Sequence, residues 1–298
     1  MRDRIVSCVF AGSILVGLLL SVHSVFSFEW PIEEPQVVST FGSPEGRSYK
    51  KGIELSSAES EVAPIERGEV IFRGSEYAQG SHDIPLPLGN MVVLQHERGI
   101  RSVYGHLAAA VDQAAPFYDA SESFGRIGSS GIIDRELIFL QIIDSEVNRF
   151  INPMLSLPSL ADSAEPRLEA VTLQAGSTTY QLDRDQEVTQ GEYRMLIETF
   201  DVSSALDSLQ RMAPYSIKVY LNGEEQISLG FESLSVKDWT AVPTSQREVS
   251  APELYSGQWL YNLGRLMLQP GVALIEVFVS DFAGNEISRT YRLQVLAR

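Results

Sequence analysis

The chain holds a single cysteine, Cys8, and four histidines, none of them beyond His106. One cysteine excludes a disulfide framework and any cysteine-rich zinc site. With neither His nor Cys, the second half offers no ordinary transition-metal site. Cationic residues are also scarce: 23 Lys+Arg stand against 39 Asp+Glu, a formal net charge of −16. Such a chain repels phosphate backbones, which argues against nucleic acid as a partner. Beyond the first 28 residues no segment is apolar enough to span a membrane. A glycine-rich phosphate loop and a G-x-S-x-G elbow are both missing. Carboxylates are plentiful, but nothing separates a glycosidase-type pair from an ordinary solvated acidic face.

What is present begins with Arg2 and Arg4 ahead of an apolar run from Ile5 to Leu20. Ser24-Val25-Phe26-Ser27 then supplies small or aliphatic residues for a cut after Ser27, the layout of a secretory signal peptide over residues 1–27. The alternative is an uncleaved anchor, for which the run is short against roughly 30 Å of hydrocarbon. Cys8 lies inside the run and away from any cleavage point, unlike a lipoprotein cysteine. The expectation is an exported protein, periplasmic or associated with the cell envelope, with no transmembrane span once the signal is removed.

A length of 298 residues suggests two domains. From Glu29 to Pro158 short apolar stretches alternate with glycine turns: Glu69–Phe72, Met91–Leu94, Arg101–Tyr104 and Glu136–Ile143. That texture predicts strands, with one helical turn and a loop across Ala109–Glu122. Residues 158–166, rich in Pro, Ser and Ala, read as a linker. Beyond them strands are expected at Glu169–Leu173, Arg194–Phe200, Ser216–Leu221, Ala273–Ser280 and Thr290–Val295, at the spacing of a β-sandwich. Asn222-Gly223 is a strong hairpin signal, because both turn positions need positive φ. The reading is all-β: an antiparallel β-sheet domain over 28–157, then an immunoglobulin-like β-sandwich domain over 167–298.

The first half resembles the LytM/lysostaphin-type zinc metallopeptidases, which cut peptide cross-links of the cell wall. The resemblance rests on Phe41-Gly42, Lys50-Lys51-Gly52-Ile53-Glu54, Val62-Ala63-Pro64 with Gly68-Glu69-Val70, and Gly89-Asn90 through His96. Tyr104-Gly105-His106-Leu107, Ile127-Gly128-Ser129-Ser130-Gly131 and Ile151-Asn152-Pro153-Met154-Leu155 complete it. Each piece is weak alone; their order and spacing together are specific. The resemblance implies zinc held by the His and Asp of H-x-x-x-D and by the second His of a later H-x-H. Here those two first positions are Lys50 and Glu54. The H-x-H falls on Leu137-Ile138-Phe139, or one residue earlier on Glu136–Ile138, and neither frame recovers a histidine. Only His106, of the Y-x-H-L segment, keeps its identity.

Catalytic zinc usually needs three donors and an open position. Phe139 and Leu137 have no lone pair to give, and a charged lysine repels a dication. The chain is therefore read as a degenerate member with catalytic residues none and metal ligands none. The vestigial groove is assigned to Lys50, Glu54, Tyr104, His106, Leu137, Phe139 and Gln141. Lys50 and Glu54 either form an ion pair in place of the metal or both point into solvent, where such a pair contributes about 0–1 kcal/mol. His106 is either packed and hydrogen-bonded or a surviving acid–base group. His82, His96 and His106 fit no familiar metal spacing.

Three functions follow. The leading one is an exported pseudoenzyme of peptidoglycan remodelling, with no cofactor, that binds peptidoglycan or regulates a cell-wall hydrolase such as an amidase. The second is an active zinc endopeptidase with atypical ligands, and the third a structural module of the envelope.

Overall fold

The computed structural model describes residues 28–75, 86–120, 122–183, 185–203, 210–237, 240–245 and 248–297. The signal peptide expected over 1–27 and His82 lie outside the described residues. In the first half the strands are β1 (Gln36–Ser39), β2 (Pro44–Glu45), β3 (Ser48–Tyr49), β4 (Ile53–Ser56), β5 (Glu61–Val62) and β6 (Gly68–Gly74). They continue as β7 (Asn90–Gln95), β8 (Ile100–Leu107), β9 (Phe117–Tyr118), β10 (Gly125–Arg126), β11 (Ile138–Asp144) and β12 (Arg149–Ile151). In the second half come β13 (Arg167–Ala175), β14 (Thr178–Gln181), β15 (Asp185–Thr189), β16 (Gly191–Phe200), β17 (Ser216–Leu221) and β18 (Glu224–Gly230). The last are β19 (Ser233–Lys237), β20 (Thr240–Pro243), β21 (Tyr255–Gly257), β22 (Leu260–Leu268), β23 (Gly271–Ser280) and β24 (Glu286–Leu296), with a short α-helix, α1 (Ala251–Leu254), before β21.

The chain is all-β and, among the described residues, its sheets are antiparallel but for one parallel pair, β15 with β24. Period-two burial explains the central strands: β7 alternates buried and half-buried residues, and so does β4. Ile53, Leu55, Val92, Leu94, Tyr104, Ile138, Leu140 and Ile142 are fully buried and form the core against which the site is built. Each such aliphatic side chain contributes about 1.5–3 kcal/mol by leaving water. Of the helical turn and loop expected across Ala109–Glu122 the loop forms, over residues 109–116 leading into β9, and no helical turn is found there among the described residues.

A ten-stranded sheet runs β20-β19-β12-β11-β8-β7-β6-β9, with β4 pairing both β1 and β11. Its β19–β20 hairpin comes from the second half of the chain and docks on β12, Phe150 opposite Leu234 and Ile151 opposite Ser233. Pro243 sits in β20, the outermost strand, where a missing N–H does no harm. Asn152, of the Ile151-Asn152-Pro153 segment, reinforces the junction. Its backbone N–H donates to Glu232 O at 2.9 Å, its side-chain amide to Phe231 O at 2.9 Å, and its side-chain carbonyl accepts from Met154 N at 3.1 Å.

The rest of the second half forms two five-stranded sheets, β14-β13-β16-β22-β21 and β15-β24-β23-β17-β18. Alternate residues of β16, β23 and β24 turn inward, and Met195, Ile197, Ile275, Val277 and Leu293 join one core. Asn222 and Gly223, at φ 53° and 83°, make the β17–β18 hairpin as their sequence predicts.

Candidate functional site

Lys50 leaves β3 on a loop held from both sides: Lys50 N–H donates to Ser43 O at 2.8 Å and Gly42 N–H to Lys50 O at 2.9 Å. Its ammonium contacts Glu54 Oε1 and lies 3.4 Å from Glu45 Oε1. The Lys50 and Glu54 side chains are only 10% and 16% exposed, so the ion-pair arrangement holds and the solvated one does not. Glu45, from the β2–β3 hairpin, is a second partner that no local signal in the sequence announces.

The register of β11 settles which frame faces this pair. Phe139 lies directly opposite Glu54 on β4 and Gly105 on β8, so the three share one face. Ile138 lies opposite Leu55, and both are fully buried on the other face. The position facing the Lys50–Glu54 pair is therefore Phe139. Its ring packs over Gly52, where an added Cβ would meet a ring carbon at 2.7 Å and the Leu140 carbonyl at 2.3 Å. Glycine is required there for that close approach.

His106 stands at the end of β8 with φ 65°. Its Nδ1–H donates to Ser130 O at 2.8 Å, since a carbonyl can only accept. The ring meets that of Phe139 edge-on at 6.4 Å. Ser130 is the hub of this corner: its hydroxyl donates to Leu107 O at 2.8 Å and accepts from Asn90 N–H at 2.8 Å. Asn90 Nδ2 donates to the same Leu107 carbonyl at 3.1 Å. A Cβ on Gly89 would strike the Ser130 backbone at 2.3 Å, so the Gly89-Asn90 and Gly128–Gly131 segments interlock around His106.

Leu137 is buried and its N–H donates to Gly128 O at 2.9 Å, while Gln141, half-buried, is opposite Val103. Tyr104 is not brought to the group. It lies opposite fully buried Leu140, and its hydroxyl accepts from Ile65 N–H at 2.8 Å. Burial raises that phenol well above its usual range. His96 is also elsewhere. Nδ1–H donates to Arg67 O at 3.0 Å, which leaves Nε2 to accept from Ser102 Oγ at 2.6 Å, and burial lowers its pKa.

Beside the ion pair an open groove of about 630 Å³ is lined by Glu54, Gly131, Asp134, Arg135 and Leu137, with Ile132 77% exposed at its rim. The second half holds the loop that carries Lys50 in place. Phe231 packs on Gly42, Tyr255 donates its hydroxyl to Gly42 O, and Tyr49 donates to Val249 O at 2.8 Å between the Phe231 and Tyr255 rings.

Zinc does not suit this donor set: an ammonium and a phenyl ring stand where lone pairs are needed. Among the described residues no group of three or more His, Cys, Asp or Glu is placed to hold a metal ion.

A family model matches residues 165–296. An uncharacterized protein of Treponema pallidum (strain Nichols) is 26% identical over 109 residues, which are 34% of this chain and 73% of that protein. A zinc-containing peptidase from Vibrio cholerae is similar in structure, with 17% identity and a TM-score of 0.37, over 44% of this chain and 41% of the peptidase. The chain thus spans less than half the length of that peptidase. The catalytic domain of lysostaphin from Staphylococcus simulans gives 19% identity and a TM-score of 0.33, over 41% of this chain and 90% of the domain. Likeness at this level carries nothing about individual residues, and the site rests on its own geometry. Among the described residues no helix is long and apolar enough to cross a membrane.

Proposed function

We propose that the chain is an exported, non-catalytic peptidase-like protein of the cell envelope. It acts in peptidoglycan remodelling by binding peptidoglycan or by regulating a cell-wall hydrolase. The observation that carries this reading is the Lys50–Glu54 ion pair facing Phe139: charge is balanced internally, and an apolar ring fills the third position. With an ammonium and a phenyl ring at donor positions, the adjoining groove supports binding without cleavage. The strand order of the second half, with one edge strand parallel to the last, supports the immunoglobulin-like reading of that unit.

The test is zinc content per purified chain after dialysis against trace zinc, together with co-sedimentation on insoluble peptidoglycan. Near-zero zinc with retention on the polymer and no solubilised fragments is the expected result. About one zinc per chain, lost on changing Glu54 or His106, with a chelator-sensitive cut in peptidoglycan, overturns it.

A further inference from the structure

Three aspartates meet at the seam between the two units. Asp201 follows β16, Asp281 opens the turn after β23, and Asp162 lies in the linker between the halves. Asp201 and Asp281 are 5% and 3% exposed. Together with Val37, Thr40 and Met212 the three line a cavity of about 210 Å³ that is walled by both units.

The two buried carboxyls are satisfied unequally. Asp281 accepts from Gly284 N–H at 2.7 Å, Asn285 N–H at 2.8 Å and Asn285 Nδ2 at 2.7 Å. Asp201 accepts from its neighbour Val202 N–H at 2.8 Å. Burial raises Asp201 to about 8, with Asp281 and then Asp162 adding to the rise. Asp281 is raised as well, by burial, against the pull of its Asn285 and Gly284 bonds. From β22 the Tyr261 phenol feels the Asp201 charge, and Arg211 stacks its guanidinium on Phe200 at 4.3 Å.

Asp201 is also a mechanical joint. Its backbone forms a two-way bridge with Met212, at 2.8 and 3.0 Å. The adjoining residues grip the first unit: Thr40 Oγ1 donates to Ala213 O at 2.9 Å, Ala213 N–H to Ser43 Oγ at 3.3 Å, and Gln210 Nε2 to Val38 O at 2.6 Å. Ser43 in turn accepts the Lys50 N–H. A continuous path of bonds thus runs from the acidic cavity to the loop that carries the ion pair.

We propose that the seam is a proton-operated latch: a proton held by the Asp201–Asp281 pair keeps residues 210–213 docked on residues 38–43, and its loss puts two buried anions on one cavity and frees residues 210–213. Freeing that segment loosens the Lys50 loop and with it the ammonium that holds Glu54, a residue of the groove. The latch stands on the seam's own geometry, whereas its consequence for the groove rests on the binding reading above. The sign follows from linkage. A carboxyl whose folded pKa is raised favours the docked state fully below the unfolded pKa, and that contribution is lost as pH rises through the folded pKa near 8.

Hydrogen exchange on the full chain tests it, read at about pH 6 and about pH 9 and corrected for intrinsic exchange rates. Protection of amides in 40–50 and 210–213 is expected to fall at least about tenfold between the two, the factor of one unit of proton linkage. Asp201→Asn is expected to hold protection equal at both values. Equal protection in the unaltered chain overturns the proposal and needs no variant. An Asp201→Asn or Asp281→Asn protein that folds and shows the same loss as the unaltered chain overturns it too. Peptidoglycan retention measured at the same two pH values separates the claims: unchanged retention alongside a real loss of protection supports the latch and overturns its link to the groove.

Discussion

Replacing Lys50 with alanine tests the pair most directly. In the folded chain the ammonium is the counterion of a Glu54 side chain only 16% exposed, and Glu45, at 56% exposed, is the weaker partner. Removing one member of a buried pair costs about 3–5 kcal/mol, because the other charge stays behind uncompensated. Breaking an exposed pair costs about 0–1 kcal/mol. Partial solvent contact of Glu54 places Lys50→Ala at the lower end of the buried range, about 3 kcal/mol. For a chain of this size that is a fall of about 6–12 °C in Tm. Removing both charges together, as Lys50→Met with Glu54→Leu, is expected to leave stability within about 1 kcal/mol of the starting value, since a packed apolar pair replaces the ions. Thermal and urea unfolding of the three proteins, at matched pH and low salt, reads both effects. A Lys50→Ala protein within about 1 kcal/mol of the original places the pair in solvent and refutes the reasoning.

Restoring donors probes the same spot from the other side. Lys50→His, Glu54→Asp and Phe139→His combined are expected to take up about one zinc per chain, whereas the combination with Ile138→His in place of Phe139→His is expected to take up none, because residue 138 faces the core. Elemental analysis decides between them. A chain ending at residue 165 loses the β19–β20 hairpin and the clamp on Tyr49, so it is expected to be insoluble or to exchange amides rapidly at β12; a soluble, well-protected fragment contradicts this. Burial lowers the His96 pKa, so the unfolded chain binds the extra proton first. Stability is expected to fall as pH drops below the unfolded value near 6.5, and a His96→Gln protein is expected to show a flatter slope in acid unfolding curves.

Strands rich in β-branched residues, alternating or in apolar runs, were legible from sequence: Ser216–Leu221 is reproduced residue for residue as β17, and β7, β11 and β23 differ from expectation only at their ends. Leu260–Leu268 was not, because it has no β-branched residue and carries Gly264 in its middle. The structure explains the glycine. Register slips beside it, Met195 opposite Gly264 but Leu196 opposite Asn262, and φ is 97°, a bulge that only long-range pairing reveals. The docking of β19 on β12 was hidden for the same reason: it joins residues more than eighty positions apart and leaves no mark in local pattern. At the site, Lys50, Glu54, Phe139 and His106 were all named as site residues from motif spacing, while Ser130 stood in a motif with no role assigned and Glu45 in none, since the contacts of both depend on turns that only the fold reveals. Tyr104 shows the converse. Its place in a motif suggested the groove, but strand alternation turns it to the core.

The motif pieces sort by what they hold. Gly52 admits the Phe139 ring, Gly89 admits Ser130, Asn90 and Ser130 share the Leu107 carbonyl, and Asn152 ties the end of the first half to residues 231 and 232. All of these are packing or backbone bonds that function without a metal. Lys50 and Phe139, two of the positions that depart from the zinc pattern, are ones whose task would be to supply a lone pair. Losing zinc donors therefore costs this scaffold little provided the charge left at Glu54 is met, and Lys50 meets it. That is how the fold's signature can stand intact around a centre with Lys50 and Phe139 at donor positions, and why motif matches must be divided into donors and supports before they are read as activity. The division also says which substitution should be tolerated: with Lys50 and Glu54 both made apolar, the supports around His106 keep every bond they have now.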